Sequence, residues 1–252
     1  MKAINKKTPT AKISTFAAVF LVLIAFLSSC SRSADFQAVN TANSEKTSES
    51  NAYASFDIKR TVFIGDSNIY HLKTYGLLPA EQIITGKECY MTLEPSVCEK
   101  YVVLPTSNEE IKISDAISKL KPEFIIITLG TDGAYTLDRE GFRLSYTQLL
   151  DSIISASPDT VIGVQSIFPV CEGTREVRFK NVEKTNSKFK LANQWLREIA
   201  KEYKIVYFDT ASVLSDESGS LLAEFNTDHL DGYHLNRRGL QVMLDYIQTH
   251  VH

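Results

Sequence analysis

From residue 58 onward, short runs of β-branched and aromatic residues alternate with longer stretches in which apolar positions recur every three or four residues. The short runs are TVFIG (61–65), QIIT (82–85), FIIITLG (124–130), TVIGVQS (160–166) and IVYFD (205–209). Three of them are continuous Ile/Val/Phe runs, the pattern of strands buried on both faces of a parallel sheet. The longer stretches read as amphipathic helices. Residues 109–120 place Ile113, Ala116, Ile117 and Leu120 on one face, and 144–156 do so with Tyr146, Leu149, Leu150 and Ile153. Residues 184–203 use Phe189, Ala192, Leu196, Ile199 and Tyr203, and 238–249 use Leu240, Met243, Leu244 and Ile247. Pro122 and Pro158 each fall between a helix and the next strand, where the chain has to break. The alternation predicts an α/β fold, a three-layer αβα sandwich around a five-stranded parallel sheet. In such sheets the functional crevice lies beyond the carboxyl ends of the strands. That rule brings Ser67, the segment Gly130–Gly133, and Gln165 with Ser166 to one edge.

The first 57 residues follow a different pattern. Lys2, Lys6, Lys7 and Lys12 precede an uncharged stretch, TFAAVFLVLIAFL (15–27), which ends in small residues and Cys30. A basic start, a short apolar segment and a small-residue end describe a secretory signal. The apolar part is shorter than the roughly 20 residues that span a bilayer comfortably, although an uncleaved anchor is the other reading. LSSC (27–30) resembles the lipobox of bacterial lipoproteins, which implies a signal peptide over 1–29, lipidation of Cys30 and attachment to the outer face of the cell membrane. Residues 30–57 are rich in Ser, Asn, Thr and Ala and poor in large apolar residues, so they read as a flexible tether. The remainder, 58–252, is a normal size for one well-cored domain.

Charge narrows the partners. Without the leader's four lysines, 23 of the 27 basic residues remain against 30 acidic ones, a net of −7. There is no Lys/Arg run of the kind that tracks nucleic acid, and we expect a monomer. Cys89 and Cys98 are nine residues apart outside the cytoplasm and can pair, which would contribute about 2–3 kcal/mol in the chain-entropy model. Free thiols are the equal alternative, since Cys171 has no partner. No Cys/His spacing of the zinc-site type occurs, and we expect neither metal nor cofactor.

The run TVFIGDSNIYHL (61–72) stops abruptly at Gly65-Asp66-Ser67. Ser67 reads either as a nucleophile or as the cap of the next helix, a position that suits Ser and Asp alike. A nucleophilic serine needs a base, an acid to orient it, and donors for the developing oxyanion. Of five histidines, His250 and His252 are terminal, and His71 reads as a solvent-facing helix residue. His229 and His234 lie in TDHLDGYHLNRRG (227–239), where Asp231 stands three residues before His234 and a turn can set carboxylate beside imidazole. Asp228 is a second candidate acid with a poorer spacing.

FIGDSN and DGYHLN, in this order on a βα framework, resemble the first and last blocks of the SGNH, or GDSL, hydrolase superfamily. The resemblance covers roughly residues 58–250. It implies the flavodoxin-like fold of that superfamily and a serine esterase with Ser67 as nucleophile, His234 as base and Asp231 as orienting acid. By the same resemblance, the N–H groups of Ser67 and Gly86 form the oxyanion hole. The expected substrates are small acyl esters, acetyl on carbohydrate above all, and no cofactor is implied. A glycan O-acyltransferase and a non-catalytic binding module are the alternatives.

One block departs from the pattern. The family's third block is Gly-x-Asn, whose side chain donates to the oxyanion, whereas this chain reads Gly130-Thr131-Asp132. An ionised aspartate accepts hydrogen bonds and cannot donate. Losing one oxyanion donor typically costs about 2.7–4 kcal/mol. Three readings stay open: a protonated Asp132, a substitute donor such as Thr131, or a site reduced to binding or to another acyl transfer.

Overall fold

The computed structural model describes residues 55–173, 179–227 and 231–251. The signal peptide, Cys30, most of the tether, Asp228 and His229 lie outside the described residues.

The sheet contains β1 (Thr61–Gly65), β2 (Ile83–Thr85), β5 (Phe124–Thr128), β6 (Val161–Gln165) and β7 (Val206–Phe208), in the order β2-β1-β5-β6-β7, and every pair is parallel. All five expected strands are present. A separate antiparallel hairpin pairs β3 (Tyr101–Val103) with β4 (Glu110–Lys112). The helices are α1 (Ser67–Thr74), α2 (Ile113–Leu120), α3 (Thr131–Thr136), α4 (Arg139–Ala156), α5 (Val182–Tyr203), α6 (Thr210–Leu214) and α7 (Arg237–Thr249).

Strand periodicity divides the core in two. Val62, Ile64, Ile125, Ile127, Ile162 and Val164 join one buried cluster with Ile113, Ile117, Tyr146, Leu149, Phe189 and Leu196 of α2, α4 and α5. Phe63, Ile83, Ile126 and Phe208 point the other way and pack with Ile69 and Leu72 of α1 and Leu240, Met243, Leu244 and Ile247 of α7. Successive residues of one strand therefore feed opposite helix layers, which is the expected three-layer sandwich. At about 1.5–3 kcal/mol for each fully buried large aliphatic side chain, the central strands are its most stabilising segments.

Two boundaries differ from the pattern reading. The helix expected over 109–120 begins only at Ile113, because Ile111 alternates with Glu110 and Lys112 and pairs with Val102 across the hairpin. Both isoleucine and valine are buried there. The helix expected from 144 starts earlier, at Arg139, where the Asp138 side chain accepts from Gly141 N at 2.8 Å.

The register sets the functional edge. Gly65 stands opposite Thr85 on one side and Thr128 on the other, so Asp66, Gly86 and Leu129 leave the sheet at one level. Gly65 is needed where it is: a Cβ there would lie 2.4 Å from Thr128 O and 2.5 Å from Ile69 Cγ1. Gly65→Ala is expected to destabilise the domain by about 1–3 kcal/mol, measured as a lower urea midpoint at unchanged m-value.

Candidate active site

The two sequence readings of Ser67 are separated by its neighbour. Asp66 is the N-cap of α1, its carboxylate accepting from Asn68 N at 3.0 Å. Ser67 is thus the first residue of the helix, relieved of capping, and its hydroxyl is available for another partner. That partner is His234, whose Nε2 lies 2.7 Å from Ser67 Oγ across 167 residues of sequence. The hydroxyl also sits at the positive end of the helix dipole, which favours negative charge forming beside it.

His234 is held by its own turn. His234 Nδ1 lies 2.6 Å from Asp231 Oδ2. The other carboxylate oxygen accepts from the backbone N–H of Tyr233 and of His234, both at 3.0 Å, and from Asn226 Nδ2 at 3.3 Å. Burial works to raise the Asp231 carboxyl. The hydrogen bonds from the His234 ring and from the N–H groups of His234 and Tyr233 outweigh it, and the group is held well below the usual carboxylate range. The turn itself requires glycine: Gly232 has φ +83°, and a Cβ there would meet Cys171 O at 2.3 Å.

Two asparagines that the sequence reading passed over fix this turn to the body of the protein. Asn68, buried and next to the nucleophile, accepts from Leu235 N at 2.8 Å and reaches Tyr233 O at 3.5 Å. Asn226 donates to His234 O at 2.9 Å as well as to Asp231. Asn68 stands within the FIGDSN stretch, so the signal for it was a polar residue beside the nucleophile on an otherwise apolar helix face.

A small cavity of about 40 Å³ opens at Ser67 and is lined by Asp66, Asn68, Cys89, Tyr90, Met91, Thr131, Asp132, Phe168, Val170 and Tyr233. Asp132 and Thr131 therefore stand where the third block was expected. Gly86 follows β2 and does not line the cavity. Its part is the turn after it: Glu88 and Cys89 have φ +53° and +60°, and the Tyr90 carbonyl folds back to within 1.9 Å of where a Gly86 Cβ would lie. Two non-glycine residues in the left-handed region cost of order 1 kcal/mol each, and together they bring Cys89, Tyr90 and Met91 to the pocket wall.

The structure decides between the two readings of one cysteine pair and corrects two other sequence expectations. Cys89 and Cys98 form no disulfide; both are free thiols, Cys89 turned to the pocket wall and Cys98 in the following 3₁₀ turn. Gln165 and Ser166 lie beneath the crevice, fully buried: the Gln165 amide donates to Thr128 Oγ1, and Ser166 Oγ accepts from Ala211 N at 2.7 Å. The crevice wall is formed instead by Phe168 and Val170, just beyond. His71 is half-buried, its ring centroid 5.1 Å from that of His234.

A seryl hydroxyl bonded to an imidazole, itself bonded to an ionised carboxylate at the carboxyl edge of a parallel sheet, is the apparatus of a serine hydrolase. The GDSL-like lipase/acylhydrolase family model matches residues 104–242, and the chain belongs to that family. The match includes Asp231 and His234 and begins beyond Ser67. Among solved structures, the chain is similar to a GDSL-like lipase from Bacteroides thetaiotaomicron VPI-5482, with 14% identity, a TM-score of 0.50, and coverage of 82% of this chain and 96% of that one. It is likewise similar to the periplasmic domain of a lipopolysaccharide acetyltransferase from Salmonella ser. Paratyphi A, with 17% identity, a TM-score of 0.50, and coverage of 84% and 97%. At such identities the likeness shows the shared α/β fold alone. No curated protein matches the chain.

Two predictions follow from these bonds. Asn68→Ala removes the acceptor of Leu235 N and is expected to lower stability by about 1–3 kcal/mol and kcat more than KM, read by urea melts and ester kinetics. Asp231→Asn is expected to lower kcat roughly 10³–10⁴-fold. Because the folded-state carboxyl lies below its unfolded value near 3.9, its contribution to stability is fully present above about pH 4 and is lost as pH falls through the folded-state value. Urea midpoints measured from pH 2 to 7 are therefore expected to fall less steeply with acid in Asp231→Asn than in the wild type.

Proposed function

We propose that this acylhydrolase is a serine esterase that removes small acyl groups, acetyl above all, from carbohydrate or other esters outside the cytoplasm. The observation that carries the reading is the continuous path from Ser67 Oγ through His234 to Asp231, at 2.7 and 2.6 Å. Ser67 attacks the ester carbonyl while His234 Nε2 takes its proton. The tetrahedral intermediate collapses, His234 returns the proton to the departing alcohol, and water then releases the acyl group by the same steps in reverse. The N–H of Ser67 receives the oxyanion; Gly86, which does not line the cavity, is the second donor that the family resemblance implies. No cofactor enters the mechanism.

The size of the cavity supports a small acyl group, since about 40 Å³ leaves little room beside Ser67. Tyr90 supports a sugar: it lines the mouth and is 68% exposed, offering a broad amphipathic ring face to a pyranose. The leader and Cys30 support a lipid-anchored enzyme at the outer face of the membrane.

Asp132 lines the cavity where a donor would serve the oxyanion. A carboxylate there opposes the developing charge, and we read it as a restraint on the rate of hydrolysis. The same observation favours a second reading, acyl transfer to a glycan acceptor, in which slow hydrolysis preserves the acyl-enzyme for its acceptor.

The test is p-nitrophenyl acetate hydrolysis by the purified chain across pH 5 to 9. Wild type is expected to turn over, Ser67→Ala to be inactive, and Asp132→Asn to be faster at neutral pH by roughly tenfold or more, toward the 10²–10³ that one oxyanion donor contributes. Equal inertness of folded wild type and Ser67→Ala would remove the esterase reading and leave a binding module. Transfer of acetyl to added oligosaccharide in preference to water would favour the second reading.

A further inference from the structure

His71 lies one turn beyond Ser67 on α1. Helical side chains lean toward the helix N-terminus, so His71 leans back over the turn that carries the nucleophile. Its ring centroid is 5.1 Å from that of His234, with the planes tilted by 59°, and 5.6 Å from that of Tyr75. The ring is half-buried, and its Nδ1 is buried without a hydrogen-bond partner.

Packing does not account for an imidazole at this place. A phenylalanine would fill similar space and leave no desolvated nitrogen unpaired, a condition that is unfavourable in a folded protein. The groups that face His71 are His234 and Asp231 from the turn at 231–234 and Tyr75 from the C-cap of its own helix. Burial lowers the His71 pKa most, the proximity of His234 lowers it further, and Asp231 pulls the other way with less effect. Burial and the nearness of His234 thus both favour the neutral form of the His71 ring. With its own proton on Nε2, a neutral His71 has at Nδ1 an acceptor and no positive charge to set against its neighbour.

We propose that His71 is a positioning residue for the reaction: from the nucleophile's own helix it backs the ring of His234 and favours the imidazolium that forms there when Ser67 attacks. The proposal rests on the triad reading above. In it the Ser67 proton travels to His234 Nε2 and on to the leaving group, and His71 exchanges none. It supplements Asp231, which accepts from Nδ1 of the same ring, through the contact between the two rings. Because helix and nucleophile are one rigid element, the support moves with Ser67 and not with the catalytic turn.

The experiment compares the full chain with His71→Phe and His71→Gln. It reads the rate constant for labelling of Ser67 by a fluorophosphonate, the pH profile of p-nitrophenyl acetate hydrolysis, and the thermal midpoint. His71→Phe is expected to leave the midpoint unchanged or raised, and to lower both kcat and the labelling rate by up to roughly tenfold, less than a full hydrogen bond to a charged group contributes, since none joins the two rings. KM is expected to stay constant, and the acid limb of kcat/KM to move to lower pH, because the base is less readily charged. His71→Gln, which keeps an acceptor, is expected to recover most of the loss. Wild-type labelling and an unshifted acid limb in both variants would overturn the proposal, as would losses that follow thermal stability in both. A folded wild type that is not labelled at all would overturn the triad reading and this proposal together, whereas a labelled wild type with indifferent variants overturns the role of His71 alone.

Discussion

The site depends on a join between two segments that are far apart in sequence. Ser67 belongs to the first βα unit and His234 to the turn before the last helix, and no strand pairing connects them. Asn68 makes the connection: its carboxamide accepts from Leu235 N at 2.8 Å, so the residue beside the nucleophile fixes the residue beside the base. The Ser67–His234 distance of 2.7 Å then follows from one buried side chain placed at each end. Leu235 is itself fully buried against α1 and α7, so the polar tie and the apolar packing act on the same point. A polar bond in that surrounding is strengthened by exclusion of water, and its loss would leave both partners unsatisfied.

The same economy of polar groups runs through the rest of the constellation. Asp66 uses its carboxylate to cap α1 and so leaves the Ser67 hydroxyl to His234. Asp231 is surrounded by donors on both oxygens, including Asn226, whose amide also reaches the His234 carbonyl. Asn236 caps α7 at Gly239 N, with its amide on the carbonyls of Glu224 and Asn226. Each of these side chains fixes a local turn and at the same time ties it to a neighbour, which is how a loop can hold a catalytic imidazole without being part of the sheet.

Much of this was legible in the sequence, for reasons that differ by element. The strands were visible because burial on both faces leaves no room for polar residues, and FIIIT at Phe124–Thr128 has none before its last position. Asp231 and His234 were visible because a three-residue separation is short enough to be closed by one turn. The β3–β4 hairpin was hidden: Ile111 and Ile113 fit a helical face as well as a strand, and only the pairing of Ile111 with Val102 decides between them. His71 was hidden for a related reason. Its helix is only eight residues long and carries both buried and exposed positions, and the surface that covers His71 comes from residues 231–234, which no local pattern places there. Gln165 and Ser166 were assigned to the right edge of the sheet at the wrong depth, since the register gives the level of a residue along its strand and not the thickness of what lies over it.

Among the described residues, three carboxylates belong to the surroundings of Ser67 and its histidine, and their partners give them different meanings. Asp66 is committed to the start of α1, and Asp231 to the histidine. Asp132 is the one that follows β5 into the cavity wall, on a short helix that begins at Thr131. The positive end of α1 favours negative charge at Ser67, while a carboxylate at position 132 acts against it across the same small space. Both charges face a cavity of about 40 Å³, a space in which the opposition is screened less than it would be in open water. The fold thus separates two requirements that are usually met together. The chain of contacts from Ser67 through His234 to Asp231 depends on α1 and the turn at 231–234, and it is complete. In the proposed reading, stabilisation of the oxyanion falls to the edges of β2 and β5, where Asp132 lines the same cavity as Ser67.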